Sequence, residues 1–117
     1  MGGVLALSRA AGLHTEIKNG LEELGFEDVT VTDKDELNTI ICNKNPRLVI
    51  IDSWFYQDGT SCRIGELVKL FPGLNIAVVS VHDFHASRAP WFIWEGAKSY
   101  LSLWKGYEEF QRGLRIV

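Results

Sequence analysis

One short apolar run constrains the fold of this chain more than any other feature. Residues Leu48 to Ile51 are four consecutive β-prone apolar residues, and the run ends abruptly at Asp52. Fully apolar runs of this length are typical of strands that are covered on both faces, as in a parallel sheet packed between helices. Because open α/β sheets bind ligands at the carboxyl ends of their strands, Asp52 is the first candidate functional residue.

Strand and helix patterns alternate along the rest of the sequence. The predicted strands are Val4–Leu7, Asp28–Val31, Leu48–Ile51, Asn75–Val79 and Ser99–Leu101. Apolar residues at helical spacing predict helices around Ile17 and Leu21, Leu37 and Ile41, Ile64 and Leu67, the segment Arg88–Glu95, and Tyr107 and Phe110. This alternation with short connections predicts a flavodoxin-like (βα)5 three-layer sandwich, whose five-stranded parallel sheet has the order 2-1-3-4-5.

Several residues indicate where these helices begin and end. Gly25 is the expected C′ residue of the first helix. The pair Thr32-Asp33 is an expected N-cap of the second helix, with Glu36 as its capping-box partner. Thr60 or Ser61 is expected to cap the third.

Composition limits the class of protein. The chain has 117 residues, of which 46% are hydrophobic and 23% charged, so we expect one globular domain over residues 1–117. Its net charge of −3, without a basic cluster, argues against nucleic-acid binding by this segment. Apolar runs such as Ala89–Trp94 are too short to span a membrane, and no secretion signal is present, so we expect a cytoplasmic protein. Cys42 and Cys62 are then expected to be reduced and mostly buried.

The sequence resembles the receiver domain of bacterial two-component response regulators. The residues that carry the resemblance are Leu48–Asp52 followed by Asp58-Gly59, the run Ile76–Ser80, and the segment Gly96–Leu101. The resemblance implies that Asp52 is equivalent to the aspartate that accepts a phosphoryl group from a histidine kinase. It also implies that Ser80 is the hydroxyl residue of the site and that Tyr100 is the switch aromatic.

The sequence departs from the family at most of the other pocket positions. The family's acidic pair, which holds magnesium, falls on Ser8-Arg9, and no Asp or Glu occurs before Glu16. The family's lysine falls on Leu103, and Lys105 is two residues too late. Tyr56 stands at the usual proline position of the loop after Asp52.

These departures remove the cations on which phosphoryl transfer depends. Magnesium requires several oxygen ligands, and a lone carboxylate cannot hold it here. We therefore expect no metal, no cofactor and no enzymatic activity, and we expect that Asp52 is not phosphorylated in a regulated way. We hypothesise that the guanidinium of Arg9 pairs with Asp52 as a built-in cation.

An aromatic cluster predicts an interaction surface. Trp91, Phe92 and Trp94 lie in one short predicted helix, so their rings must point to different sides, and Trp104 follows the fifth strand. In receivers the fourth helix, fifth strand and fifth helix form the usual dimer surface. We expect a homodimer or a partner protein on this face. The alternative, in which these rings fill the core, stays open.

The sequence thus predicts an atypical receiver domain that signals by protein contact. We expect it to be the N-terminal module of a longer response regulator, with an output domain beyond Val117 that is most often DNA-binding in this family. Two alternatives stay open: a conventional receiver that a histidine kinase phosphorylates at Asp52, and a small flavodoxin-like enzyme or ligand-binding domain. Asp52 itself is also compatible with a simple loop-capping acid, and Ser80 with a strand-terminating hydrogen bond.

Overall fold

The computed structural model of the chain describes residues 3–9, 14–34, 36–53, 55–56, 59–80, 89–102 and 107–114, except for the side chains of residues 61, 89, 107 and 114. In chain order the elements are β1 (Val4–Leu7), α1 (His14–Glu23), β2 (Val29–Thr32), α2 (Leu37–Lys44), β3 (Leu48–Asp52), α3 (Thr60–Leu70), β4 (Ile76–Ser80), α4 (Ala89–Glu95), β5 (Ser99–Ser102) and α5 (Tyr107–Leu114).

The five strands form one parallel sheet with the order β2-β1-β3-β4-β5, so the predicted fold class and strand order are confirmed. Every residue of β3 and β4 is buried, as the fully apolar runs in the sequence predicted. Residues of β2 at one edge of the sheet are only half-buried. The central strands are therefore covered on both faces, and their carboxyl ends lie at a common edge.

Two apolar layers enclose the sheet, and strand alternation decides which residue enters which layer. Helices α2, α3 and α4 cover one face through the buried residues Leu37, Ile41, Ile64, Leu67 and Phe92, which pack on Leu5, Leu7, Val49, Ile51, Ile76 and Val78. Helices α1 and α5 cover the other face through Ile17, Leu21 and Phe110, which pack on Val4, Ala6, Leu48, Ile50, Ala77, Val79 and Leu101. The result is a three-layer sandwich.

The end of α1 confirms the predicted role of Gly25. Its φ is +90°, its N–H donates to the carbonyl of Glu22, and the N–H of Phe26 donates to the carbonyl of Leu21. These two bonds form a Schellman motif with Gly25 at C′. Gly96 ends α4 in the same way, with a φ of +122°.

Both predicted side-chain caps at helix starts are wrong. Helix α2 begins after Glu36 without a side-chain cap, because Thr32 is the last residue of β2 and its Oγ1 accepts the N–H of Lys34 in the following turn. Helix α3 follows Gly59, also without a side-chain cap. The hydroxyl of Thr60 accepts the N–H of Tyr56 instead, so it stabilises the loop before the helix.

Both cysteines are free, as predicted, but the expectation that they are buried is wrong. Cys42 and Cys62 are exposed. Cys42 directly follows the buried Ile41 of α2, so helical geometry turns it away from the sheet. In the part of the chain that the structure describes, each helix is too short or too polar to cross a membrane.

Candidate functional site

Three predicted site residues lie at the carboxyl edge of the sheet, in a region that we call the strand-end crevice. Ser8 directly follows β1, Asp52 ends β3 and Ser80 ends β4. The register places Leu7 opposite Ile51 and Asp52 opposite Val79, so these strand ends are adjacent. All three side chains are buried, and Asp52 is only 4% exposed.

Ser8 and Asp52 are in direct contact. The Ser8 Oγ lies 3.2 Å from the Asp52 Oδ2, and the hydroxyl donates to the carboxylate. The backbone carbonyl of Ser8 lies 2.7 Å from the Nε2 of His14. Because a carbonyl oxygen only accepts, this nitrogen carries the proton. The buried Asp52 carboxylate therefore accepts from the neutral hydroxyl of Ser8, at the first position where receivers carry an acid.

Further buried hydroxyl groups surround this contact. Ser53 and Thr60 are buried, and the N–H of Ser53 donates to the Val79 carbonyl at 2.8 Å. The Thr60 hydroxyl accepts from Tyr56. Asp52, Ser53, Thr60 and Ser80 each have further polar contacts. The crevice is thus lined with hydrogen-bonding groups that already have partners.

Arg9 contacts Phe55, and the hypothesis that it pairs with Asp52 is wrong. Its Nε donates to the Phe55 carbonyl at 3.1 Å, and its Cζ lies 4.4 Å from the centroid of the Phe55 ring. This geometry uses both the planar donor edge and the flat face of the guanidinium. It also leaves Arg9 exposed, whereas pairing with the buried carboxylate would strip water from the cation at a cost of several kcal/mol.

The donor set at this position does not fit a magnesium ion. A hydroxyl and an exposed cation, Ser8 and Arg9, stand where the resemblance implies two carboxylates. Among the described residues, no group of three His, Cys, Asp or Glu side chains is close enough together to hold a metal. Within the described part of the crevice, Asp52 thus lacks the acidic neighbours that an octahedral oxygen site requires.

Tyr100 lies on the face of the sheet that α4 covers. Its ring stacks on Phe92, with 6.1 Å between centroids and an interplanar angle of 10°. Burial raises the pKa of the Tyr100 phenol, and the Ser80 side chain offsets part of that rise. Their contact falls short of a regular hydrogen bond, because the buried Tyr100 oxygen has no hydrogen-bond partner among the described residues.

The aromatic residues of α4 divide between core and surface. Phe92 is 2% exposed, whereas Trp91 is 69% and Trp94 is 87% exposed. The interpretation that these rings fill the core is therefore correct only for Phe92. We call the exposed pair the Trp91/Trp94 surface.

The neighbours of Glu95 locate this surface on the molecule. A Cβ at Gly65 in α3 would lie 2.5 Å from the Glu95 Oε2, so Glu95 packs against α3. Trp91 precedes Glu95 by one helical turn and lies on the same side of α4. The Trp91/Trp94 surface therefore borders α3 as well as facing outwards.

Some residues singled out from the sequence lie outside the described residues, among them Asp58, Leu103, Trp104 and Lys105. The proposed contributions of Leu103 to the pocket and of Trp104 to an interface stay predictions.

The contacts of Phe55, Thr60 and His14 in this region were not predicted from the sequence. Phe55 follows Asp52 by three residues, and its N–H donates to the Asp52 carbonyl in a turn. An apolar residue in a loop beside an arginine-bearing strand end is a weak signal of a cation–π contact. Nothing in the sequence pattern pointed to the contact of His14 with Ser8.

At the level of sequence, no protein-family model and no curated protein matches the chain. Solved structures do match. The N-terminal receiver domain of a two-component response regulator from Bacteroides fragilis superposes with a TM-score of 0.86, covering 99% of this chain and 95% of that one. The protein has the receiver-domain fold. The receiver domain of NtrX from Brucella abortus gives a TM-score of 0.77 at 97% and 99% coverage.

A third match is HP1043, an orphan response regulator of Helicobacter pylori, with a TM-score of 0.75 over 97% of this chain and 92% of that one. Sequence identities to these three are 18%, 20% and 17%, respectively. The receiver-domain fold is therefore retained although most residues differ, so these matches show the fold and not the chemistry of the crevice.

Proposed function

We propose that this receiver-fold chain is an atypical receiver domain of a response regulator in two-component signal transduction, and that it acts without phosphorylation of Asp52. One observation carries the proposal. At the end of β1, the Ser8 hydroxyl donates to the buried Asp52 carboxylate, and Arg9 contacts Phe55, where a phosphorylated receiver would present two acids.

The chemistry of phosphoryl transfer supports this proposal. The transition state spreads negative charge over the equatorial oxygens, and cations beside the acceptor must neutralise it. Loss of one such stabilising group typically lowers the rate by about 10²- to 10³-fold. With the acidic pair lost, the described residues provide no second carboxylate to hold a divalent cation next to Asp52.

In this proposal the domain acts on an output domain through protein contacts. We propose that the output domain is transcriptional and lies beyond Val117, and that two copies of the chain associate through the face of α4, β5 and α5. The Trp91/Trp94 surface supports a contact through α4, although it borders α3 rather than β5. Two tryptophans this exposed offer on the order of 300–400 Å², nearly half of the roughly 800 Å² that each partner buries in an ordinary interface.

Conventional phosphorylation is the second candidate, because Asp52 still ends β3. One structural match, a response regulator from Burkholderia pseudomallei, contains a phosphorylated aspartic acid and a calcium ion. Incubation with acetyl phosphate and magnesium chloride, followed by measurement of the intact mass, distinguishes the two. We expect an unchanged mass for this chain and for Asp52→Asn. Gain of one phosphoryl group by the native chain, abolished by Asp52→Asn, would restore the conventional function.

Light scattering over a wide range of protein concentrations tests self-association separately. We expect the mean mass to rise from that of a monomer to that of a dimer. A monomer mass that does not change with concentration would remove dimerisation from the proposal and leave the absence of phosphorylation unaffected.

A further inference from the structure

We infer that Arg9 is a permanent brace that holds Phe55 and Tyr56, in the loop after β3, against the end of β1, so that these two residues keep one conformation without a metal ion or a phosphoryl group. The inference deepens the proposed function, on which it rests. It concerns how the crevice is kept in a single state and does not concern whether Asp52 reacts.

Arg9 joins two segments that are distant in sequence. It directly follows the end of β1, and its partner Phe55 lies in the loop between β3 and α3. The hydrogen bond from the Arg9 Nε fixes the backbone at Phe55. The guanidinium stacked over the ring fixes the Phe55 side chain. Phe55 is buried, so it cannot leave the contact unless the loop opens.

The loop is held in further places from its other side. The N–H of Phe55 donates to the Asp52 carbonyl at 2.9 Å. The Phe55 and Tyr56 rings meet edge to face at 4.9 Å, and the Cζ of Arg63 in α3 lies 5.8 Å from the Tyr56 centroid. Arg63 in turn donates to Asn38 of α2. A series of contacts therefore connects the end of β1 to α3, from Arg9 through the rings of Phe55 and Tyr56 to Arg63.

Each contact in this series is within the range of a cation–π or edge-to-face interaction. A divalent ion can dissociate from its site, whereas the Arg9 side chain is always present. Phe55 and Tyr56 are thereby held by a cation that belongs to the chain itself.

Amide hydrogen exchange, resolved residue by residue by NMR, tests the brace in the intact chain. In Arg9→Ala we expect the Phe55 and Tyr56 amides to exchange about tenfold faster, because loss of the stacked, hydrogen-bonded cation makes local opening easier. Amides of the buried strand β3 should exchange at the native rate. Arg9→Lys keeps the charge but not the planar fork, so it should recover only part of the protection.

The matched control is Arg47→Ala. The Cζ of Arg47 lies 5.2 Å from the centroid of the Phe26 ring, next to the amino end of β3, so this variant also removes an exposed cation from a phenylalanine. It should leave the Phe55 and Tyr56 amides unchanged. Exchange in Arg9→Ala within twofold of the native rate at both amides, or an equal acceleration across all amides, would overturn the brace. Phosphorylation of Asp52 would instead overturn the proposed function, whatever the exchange rates show.

Discussion

The strand-end crevice and the Trp91/Trp94 surface are opposite in character. In the crevice, the buried Ser8 and Asp52 side chains are hydrogen-bonded to each other, and Asp52 is 4% exposed. On α4, large apolar rings stand in water, and Trp94 is 87% exposed. A soluble domain normally shows the reverse, with polar groups available at its site and aromatic rings inside.

This difference indicates where free energy for binding is available. A crevice whose donors and acceptors are satisfied gains little from a new polar ligand, because each contact must first be given up. An exposed tryptophan gains from almost any apolar partner that covers it. We propose that recognition belongs to α4 and that the crevice contributes stability.

The largest effect is expected on α4. The double substitution Trp91→Ala/Trp94→Ala should raise the dissociation constant of the dimer by on the order of 100-fold, because buried tryptophans are the commonest energetic centres of interfaces. Sedimentation equilibrium of native and variant chains measures this change.

Leu70→Ala is the matched control for that substitution. Leu70 is 58% exposed on α3, so it is another large apolar residue in water, but it lies outside the Trp91/Trp94 surface. We expect its dissociation constant to stay within threefold of native. Equal weakening by both variants would show that general hydrophobicity, and not this surface, causes association.

A smaller effect is expected in the crevice. Ser8→Ala should lower the free energy of unfolding by about 1–3 kcal/mol, because it leaves the buried Asp52 carboxylate without one of its donors. Ser102→Ala, the same substitution at the half-buried end of β5, should change it by less than about 0.5 kcal/mol. Urea unfolding measures both. If Ser8→Ala costs as much in an Asp52→Asn background as in the native chain, the two side chains are not coupled.

The smallest effect is expected at Tyr100. The Tyr100 hydroxyl has no hydrogen-bond partner among the described residues, so its removal in Tyr100→Phe should change stability at neutral pH by less than about 1 kcal/mol. Burial raises the pKa of the phenol above its ordinary value of 10.0, so the unfolded chain releases this proton first. The native chain should therefore lose stability as the pH rises above 10.0, and Tyr100→Phe should lose less. Parallel pH profiles for the two chains would contradict this.

The sequence was sufficient for the fold because the fold depends on repeated, local signals. Runs such as Leu48–Ile51 decide burial on both faces, and Gly25 and Gly96 terminate helices through a positive φ. Cap residues were harder to predict. Thr32 and Thr60 have hydroxyls that satisfy other backbone groups nearby, and the sequence does not show which group is closest.

The site was predictable only in part, for a physical reason. The contact between Ser8 and Asp52 follows from the strand order, since β1 and β3 are neighbours. The direction of a long, flexible side chain does not follow from strand order. Strand order allowed Arg9 to contact either the buried Asp52 carboxylate or the ring and carbonyl of Phe55. The contact with Phe55 keeps the charge of Arg9 in water.

Titration of the chain with magnesium chloride in a calorimeter tests most directly whether the crevice is unable to bind a divalent cation. We predict no saturable heat for the native chain or for Asp52→Asn. Arg9→Asp, which places a second carboxylate at the exposed end of β1, should gain measurable binding. Saturable magnesium binding by the native chain that Asp52→Asn abolishes would contradict the proposal of a receiver domain that works without phosphorylation.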